Sequence, residues 1–272
     1  MTLMRALLLG LGLSALAALP AAAQALEAPE GMARAEILPG WRTAEGTHVA
    51  ALRIVLAPGW KTYWRAPGEA GIPPRFGWAG SRNLAALRMH WPRPEVYDVN
   101  GLRAIGYHGE LVLPIEFTPE RADRPVRLKM ALEFGVCRDI CVPVAVRLTA
   151  ELPAGGGPDA RIEAALAARP RTAGEAGVGT VRCTVEPISD GLRLTARIDM
   201  PSLGPGEVAV FELPDQSIWV SEAEGRREGG LLVAASDLVP PSAAPFALDR
   251  SQILITVLGP DRAVEIAGCS GG

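Results

Sequence analysis

The chain has 272 residues, with 30 acidic side chains against 27 lysines and arginines, a net charge of −3 and no basic block. That balance excludes a nucleic-acid partner and electrostatic capture by an anionic lipid surface. The 30 glycines and 24 prolines that punctuate short apolar runs point to β structure, in one large or two modest domains.

Residues 1–25 have the pattern of a secretory leader. Arg5 supplies the positive region, Ala6 to Leu19 the apolar run, and Ala23-Gln24-Ala25 a small-residue cleavage site, so that the mature chain starts at Leu26. The apolar run is too short for a membrane span, and no later stretch offers eighteen uninterrupted apolar residues. The product is therefore expected to be exported, to a compartment where disulfides persist.

A first domain is expected over 26–152. It opens with strands at Ala33–Leu38 and Thr47–Leu56, the latter with Val49, Ala51, Ile54 and Leu56 facing inward. An aromatic-rich stretch follows: Trp60, Tyr63 and Trp64, then Phe76 and Trp78. Aromatics are only 5% of the chain, so this concentration marks either core packing or the wall of a site. Trp91 to Gly101 is a proline-marked loop ending in the Asn100-Gly101 turn signal, before a strand at Glu110–Phe117.

Val126, Leu128, Met130, Leu132 and Phe134 then alternate with polar residues, as do Val142, Val144, Val146 and Leu148 on the return. Period two predicts a β-hairpin, with Cys137 and Cys141 flanking its three-residue turn, Arg138-Asp139-Ile140. The two Cβ atoms are then within reach of a disulfide.

A linker is expected over 153–180, carrying a short helix at Asp159–Ala168 with Ile162, Ala165 and Leu166 on one face. Seven short strands follow in a second domain over 181–272: Val181–Pro187, Leu192–Met200, Val208–Leu213, Ile218–Glu224, Gly230–Ala235, Gln252–Leu258 and Ala263–Cys269. The expected fold class is all-β, two immunoglobulin-like antiparallel sandwiches in tandem.

Four cysteines allow three pairings. Cys183 and Cys269 lie in the first and last strands of the second domain and would be neighbours if those strands pair. In the chain-entropy model a bridge over that long span stabilises by roughly 4–5 kcal/mol, and one over the short Cys137–Cys141 span by only about 2. The long bridge is the better staple, and the short ring the more readily reduced. Structure is therefore assigned to Cys183–Cys269 and redox traffic to Cys137–Cys141. An inert hairpin clip is the bland alternative for the short pair. A metal site built on its thiols is another, for zinc with His48, His90 or His108, or for copper(I) with Met89 or Met130. No histidine has ligand spacing to a cysteine or to another histidine, so no metal site is assigned. The hydrolase and phosphate-loop motifs are absent from the sequence.

Several segments together resemble a known family: Trp60-Lys-Thr-Tyr-Trp-Arg-Ala-Pro-Gly-Glu-Ala-Gly71, Trp91-Pro-Arg-Pro94, Gly106-Tyr107, Leu113-Pro114 and Cys137-Arg-Asp-Ile-Cys-Val-Pro143. They are similar to the periplasmic N-terminal domain of the thiol:disulfide interchange protein DsbD family, in its suppressor-of-copper-sensitivity branch. The resemblance implies an immunoglobulin-like domain that relays reducing equivalents without a cofactor. Its partners would be thioredoxin-like periplasmic proteins, of the disulfide-isomerase or cytochrome c maturation type. Since the chain carries neither the family's membrane domain nor its thioredoxin domain, its membrane electron donor is expected to act in trans. By the family pattern Cys141 forms the mixed disulfide and Cys137 resolves it. Tyr97, Asp98, Val99, Asn100 and Gly101 match the family's shielding cap, with Tyr63 a neighbour of the pair.

Overall fold

The computed structural model describes residues 31–99, 101–241, 243 and 246–271. The leader and its cleavage site lie outside the described residues, as does the cap candidate Asn100. The first ten strands are β1 (Ala33–Arg42), β2 (His48–Leu56), β3 (Lys61–Tyr63), β4 (Arg75–Gly77), β5 (Ala86–Met89), β6 (Glu95–Val99), β7 (Leu102–His108), β8 (Glu110–Thr118), β9 (Val126–Cys137) and β10 (Cys141–Leu152). They form two antiparallel sheets, β1-β2-β8-β5 and β10-β9-β3-β7-β6, packed as a sandwich. Leu52, Leu113, Ile115, Met130, Leu132 and Phe134 fill the space between them.

β2 departs from the expected alternation, since nearly all of it is buried. Ala50, Leu52, Ile54 and Leu56 face the sandwich core. Val49 and Ala51 instead meet Ile162 and Leu166 of a helix, α1 (Ala160–Ala167), on the other side. The expectation that Val49 and Ala51 face the same interior as Ile54 is therefore corrected: a strand covered on both faces loses its period-two signal. The helix starts where its cap chemistry predicts, with the Asp159 carboxylate accepting from the Arg161 amide at 2.9 Å.

β3 and β4 lie end to end along the same side of β9, β3 opposite Val136 and Cys137 and β4 opposite Ala131 to Glu133. The chain between them, from Trp64 to Pro74, leaves the sheet because Pro67, Pro73 and Pro74 lack an amide hydrogen for the ladder. This excursion leaves an opening opposite Gly135, and the cysteine site is built there.

The later strands are β11 (Arg171–Thr172), β12 (Val181–Pro187), β13 (Leu192–Asp199), β14 (Val208–Glu212), β15 (Trp219–Val220), β16 (Glu224–Glu228), β17 (Leu231–Val239), β18 (Leu254–Leu258), β19 (Ala263–Ala267) and β20 (Ser270–Gly271). They make a second sandwich from sheets β11-β19-β18-β14 and β15-β17-β13-β12-β20. The pairings are antiparallel except β11 with β19 and β12 with β20. The strand expected at Ile218–Glu224 is two pieces, β15 and β16. Between them Ser221 bonds through its side chain, its hydroxyl taking the Asp237 amide at 2.9 Å, so the regular ladder stops. The strand expected to reach Cys269 ends at Ala267, where Gly268 turns the chain with φ 71°. The segment joining the sandwiches is held at both ends, by α1 against the first and by β11 in a sheet of the second.

The two sandwiches pack against each other. Val208, Val210, Leu258 and Ala263 of the second extend the core of the first. The Arg65 guanidinium donates to Glu212 at 2.7 and 2.9 Å and to Glu265 at 2.7 Å.

Candidate functional site

The β9–β10 hairpin is in continuous register from Val126↔Leu152 to Cys137↔Cys141. Cys137 and Cys141 join the two strands at its turn as a disulfide, with Cα atoms 4.2 Å apart. The two sulfurs differ in access: Cys137 is 4% exposed, whereas Cys141 lies on the outer surface. The difference follows from register. Cys137 is bounded by β3, where Lys61 is its partner, while β10 is the edge strand of the sheet.

Beneath the pair lies Tyr63, whose hydroxyl donates to Cys137 Sγ at 2.8 Å and is 3.2 Å from Cys141 Sγ. A disulfide has no hydrogen to give, so the phenol is the donor to either sulfur. The Ala70 carbonyl, at 3.2 Å in the excursion between β3 and β4, competes for the same single hydrogen, with Cys137 Sγ the nearer acceptor. Burial pushes the Tyr63 phenol above its ordinary range, so it stays protonated at neutral pH.

Two glycines make room for this arrangement. A Cβ on Gly135 would fall 2.7 Å from Ile72 Cβ and 3.1 Å from the Tyr63 ring. One on Gly106 would lie 2.0 Å from the Thr62 carbonyl oxygen and 2.8 Å from the Tyr97 hydroxyl. Neither position tolerates a side chain without moving the site.

The cap candidates divide. Tyr97 and Val99, two residues apart on β6, pack with Tyr63, Ala104 and Cys137 and form a wall of the site. Asp98 points outward, and its carboxylate accepts from the Gly101 amide at 2.9 Å, fixing the β6–β7 turn. Gly101 supplies the turn's left-handed residue, φ 85°. Asp98 and Gly101 thus shape the wall without touching the sulfurs.

Sequence reasoning missed Lys61, whose ammonium lies 4.7 Å from the Tyr97 ring centre. Lys61 and Tyr63 are two apart on one strand, so the period-two rule puts Lys61 on the face that Tyr63 occupies. Of the aromatic stretch, only Tyr63 meets the sulfurs. Trp60 instead holds the hairpin turn, with the Arg138 guanidinium 5.4 Å from its ring. Trp64 is buried in the core, where Phe76 and Trp78 pack at its margin. At the turn Ile140 is 70% exposed, beside Cys141.

No histidine approaches the sulfurs. His48 is buried against the Pro39 carbonyl, His90 bonds Glu116, and His108 bonds Glu95. Among the described residues no group of three or more His, Cys, Asp or Glu is arranged to hold a metal ion. Met130 is sealed in the core and Met89 is packed at its margin. In the second sandwich Cys183 is bonded to Cys269, with Cys183 fully buried. The parallel β12–β20 pairing, with Cys183 opposite Gly271, brings the two together.

Residues 34–153 match the model of the family described as thiol:disulfide interchange protein DsbD, N-terminal. That segment is similar to the DsbD N-terminal family. The DsbD-type segment holds the cysteine hairpin, Tyr63 and the Tyr97–Val99 wall. No curated protein matches the chain. The crystal structure of the N-terminal periplasmic domain of ScsB from Proteus mirabilis is similar over 88% of this chain and 92% of that one, with a TM-score of 0.61 and 24% identity. That likeness shows the fold, and it reaches past the DsbD-type segment into the second sandwich. Among the described residues no helix is long and apolar enough to cross a membrane.

Proposed function

We propose that the chain is a periplasmic thiol–disulfide exchange protein that carries reducing equivalents from a dithiol donor to oxidised thioredoxin-like proteins, through Cys137 and Cys141. The observation that carries this reading is an accessible sulfur bonded to a buried one, with a hydroxyl donor beneath them.

In the reduced protein the Cys141 thiolate attacks one sulfur of the partner's disulfide. The partner's S–S bond breaks, its electron pair leaves on the second partner sulfur, and a mixed disulfide forms. The Cys137 thiolate then attacks Cys141 Sγ and displaces the partner as a dithiol. The Cys137–Cys141 bond re-forms, and two electrons have passed to the partner. A donor dithiol reverses the sequence, attacking the exposed Cys141 and expelling Cys137 as a thiolate. Tyr63 is placed to donate a hydrogen bond to that departing sulfur, and hydrogen bonds to charged groups are the stronger ones. Ile140, next to Cys141 in the turn, offers an exposed apolar contact to a partner.

The test is transfer of reducing equivalents from the chemically reduced protein to an oxidised periplasmic thioredoxin-like protein, followed by thiol labelling. Cys141→Ser is expected to abolish transfer while circular dichroism stays unchanged. Transfer that persists in Cys141→Ser would overturn the assignment.

A further inference from the structure

The excursion between β3 and β4 touches the cysteine site at one end and the second sandwich at the other. Ala70 and Ile72 pack on Tyr63 and Cys137, and the Ala70 carbonyl lies 3.2 Å from the Tyr63 hydroxyl. Arg65 to Glu69, earlier in the same segment, line the cleft between the sandwiches together with Val208 to Glu212 of the second. Beyond Trp64 the backbone of the excursion is tied to its own sandwich by the Ile105 amide, which donates to the Pro67 carbonyl at 2.9 Å, and by the Ala70 amide, which reaches the Arg103 carbonyl only at 3.4 Å. A segment so lightly bonded takes its position from whatever else grips it.

The grip is ionic and comes from the second sandwich. Arg65, two residues after Tyr63, donates through Nε and Nη2 to the two oxygens of Glu212 at 2.7 and 2.9 Å, and Nη2 also reaches Glu265 at 2.7 Å. The Arg65 side chain is 20% exposed and that of Glu212 19%. A two-pronged pair of this kind fixes orientation as well as distance. A second tie backs the first: Arg103, whose carbonyl takes the Ala70 amide, meets Glu222 at 3.3 Å.

What the grip controls is a single hydrogen. The Tyr63 hydroxyl has Cys137 Sγ at 2.8 Å and the Ala70 carbonyl at 3.2 Å as acceptors, and it can serve only one of them fully. Ala70 and Ile72 also confine the ring beside the sulfurs. Once they are displaced, the phenol is free to turn and its bond to sulfur is made for less of the time.

We propose that Glu212 and Glu265 of the second sandwich are positioning residues for the cysteine site: by clamping Arg65 they hold the excursion where it keeps the Tyr63 hydroxyl on Cys137 Sγ. The inference rests on the thiol-exchange reading, in which Cys137 departs as a thiolate, and it gives the second sandwich a part in that chemistry although none of its side chains touches either sulfur of the pair.

The experiment is alkylation of the reduced protein by iodoacetamide across a pH series, which reports the thiolate of the pair and needs no partner protein. With Glu212→Ala and Glu265→Ala together, the profile should move to higher pH, and the rate at neutral pH should fall by about threefold, a part of the loss expected when the hydroxyl itself is removed. The direction is diagnostic, because deleting two negative charges by itself favours a thiolate and moves the profile the other way. In a Tyr63→Phe background the same two substitutions should add no shift, since their effect passes through the hydroxyl. An unchanged profile, a shift to lower pH, or an equal shift in the Tyr63→Phe background overturns the proposal. Should the alanine variant not fold, Glu212→Gln with Glu265→Gln keeps the side-chain shapes, weakens the clamp and is read by the same criteria. Alkylation passes no electrons to a partner, so its failure leaves the exchange reading intact, and a failure of exchange leaves the alkylation result standing.

Discussion

The two disulfides of this molecule join cysteines in opposite settings. Cys183–Cys269 ties the first full strand of its sandwich to the end of the chain, across 86 positions, with Cys183 sealed in the core. Cys137–Cys141 spans 4 positions at a hairpin tip, with one sulfur facing solvent and a hydroxyl donor beneath both. The long closure removes much disorder from the unfolded chain and the short one little. What distinguishes the short bridge is its access and its hydrogen bond. The contrast predicts that stability and exchange separate cleanly between the two pairs.

The largest effect expected from breaking that contrast is on stability. Cys183→Ser should destabilise the protein by roughly 2–5 kcal/mol, the usual range for loss of a native disulfide from a small exported domain. Denaturant titration measures this, and the exchange rate of the folded fraction should be nearly unchanged. If Cys183→Ser lost exchange as fully as it lost stability, the division of labour between the pairs would be wrong.

A smaller and more selective effect is expected at Tyr63. Tyr63→Phe keeps the ring that packs on Ala104 and Cys137 but removes the donor to both sulfurs. Losing a hydrogen bond to a developing thiolate should slow donor attack by about tenfold. In the reduced protein the thiolate it would have stabilised becomes harder to form, so the rate–pH profile of transfer to the oxidised partner, which starts from a thiolate of the pair, should move to higher pH. A merely structural tyrosine would leave that profile in place while lowering the melting temperature.

Much of this contrast was legible in the chain itself. The alternation from Val126 to Phe134 and from Val142 to Leu148 located the hairpin, because one face of each strand is buried and the other wet. The Asp159 cap and the Ile162–Ala165–Leu166 stripe located the helix. Other features left no local trace. Val49 and Ala51 looked like core residues of one sandwich because a pattern cannot show that a helix covers the strand's second face. Ser221 interrupts a strand by bonding to Ser236 and Asp237, which are distant in sequence. Tyr63 reaches a sulfur 74 positions away and Arg65 a carboxylate 147 away. Spacing does not encode such contacts; for Tyr63 the family motif supplied what periodicity could not.

The sandwiches also differ in how they should meet acid, because all three histidines lie in the first. His48 is fully buried at the base of β2, its Nε2 on the Pro39 carbonyl at 2.5 Å and its Nδ1 without a partner. Burial lowers its pKa, and the nearby Arg42 charge adds to that, against the opposing pull of the Pro39 and Pro153 carbonyls. His90 is lowered as well, chiefly by burial. A histidine lowered in the folded state contributes stability that is complete above its unfolded pKa of about 6.5 and is lost as pH falls below it, where the unfolded chain takes up the proton and the fold resists it. The carboxylate of Glu116, lowered first by the Thr47 hydroxyl, loses its contribution only at still lower pH. Native-state hydrogen exchange should therefore show protection in β1 and β2 falling between about pH 7 and pH 5, with β13 and β17 holding theirs. His48→Gln, whose amide can still donate to Pro39, should flatten that slope. An equal loss of protection in both sandwiches, or an unchanged slope in His48→Gln, would remove His48 as the cause.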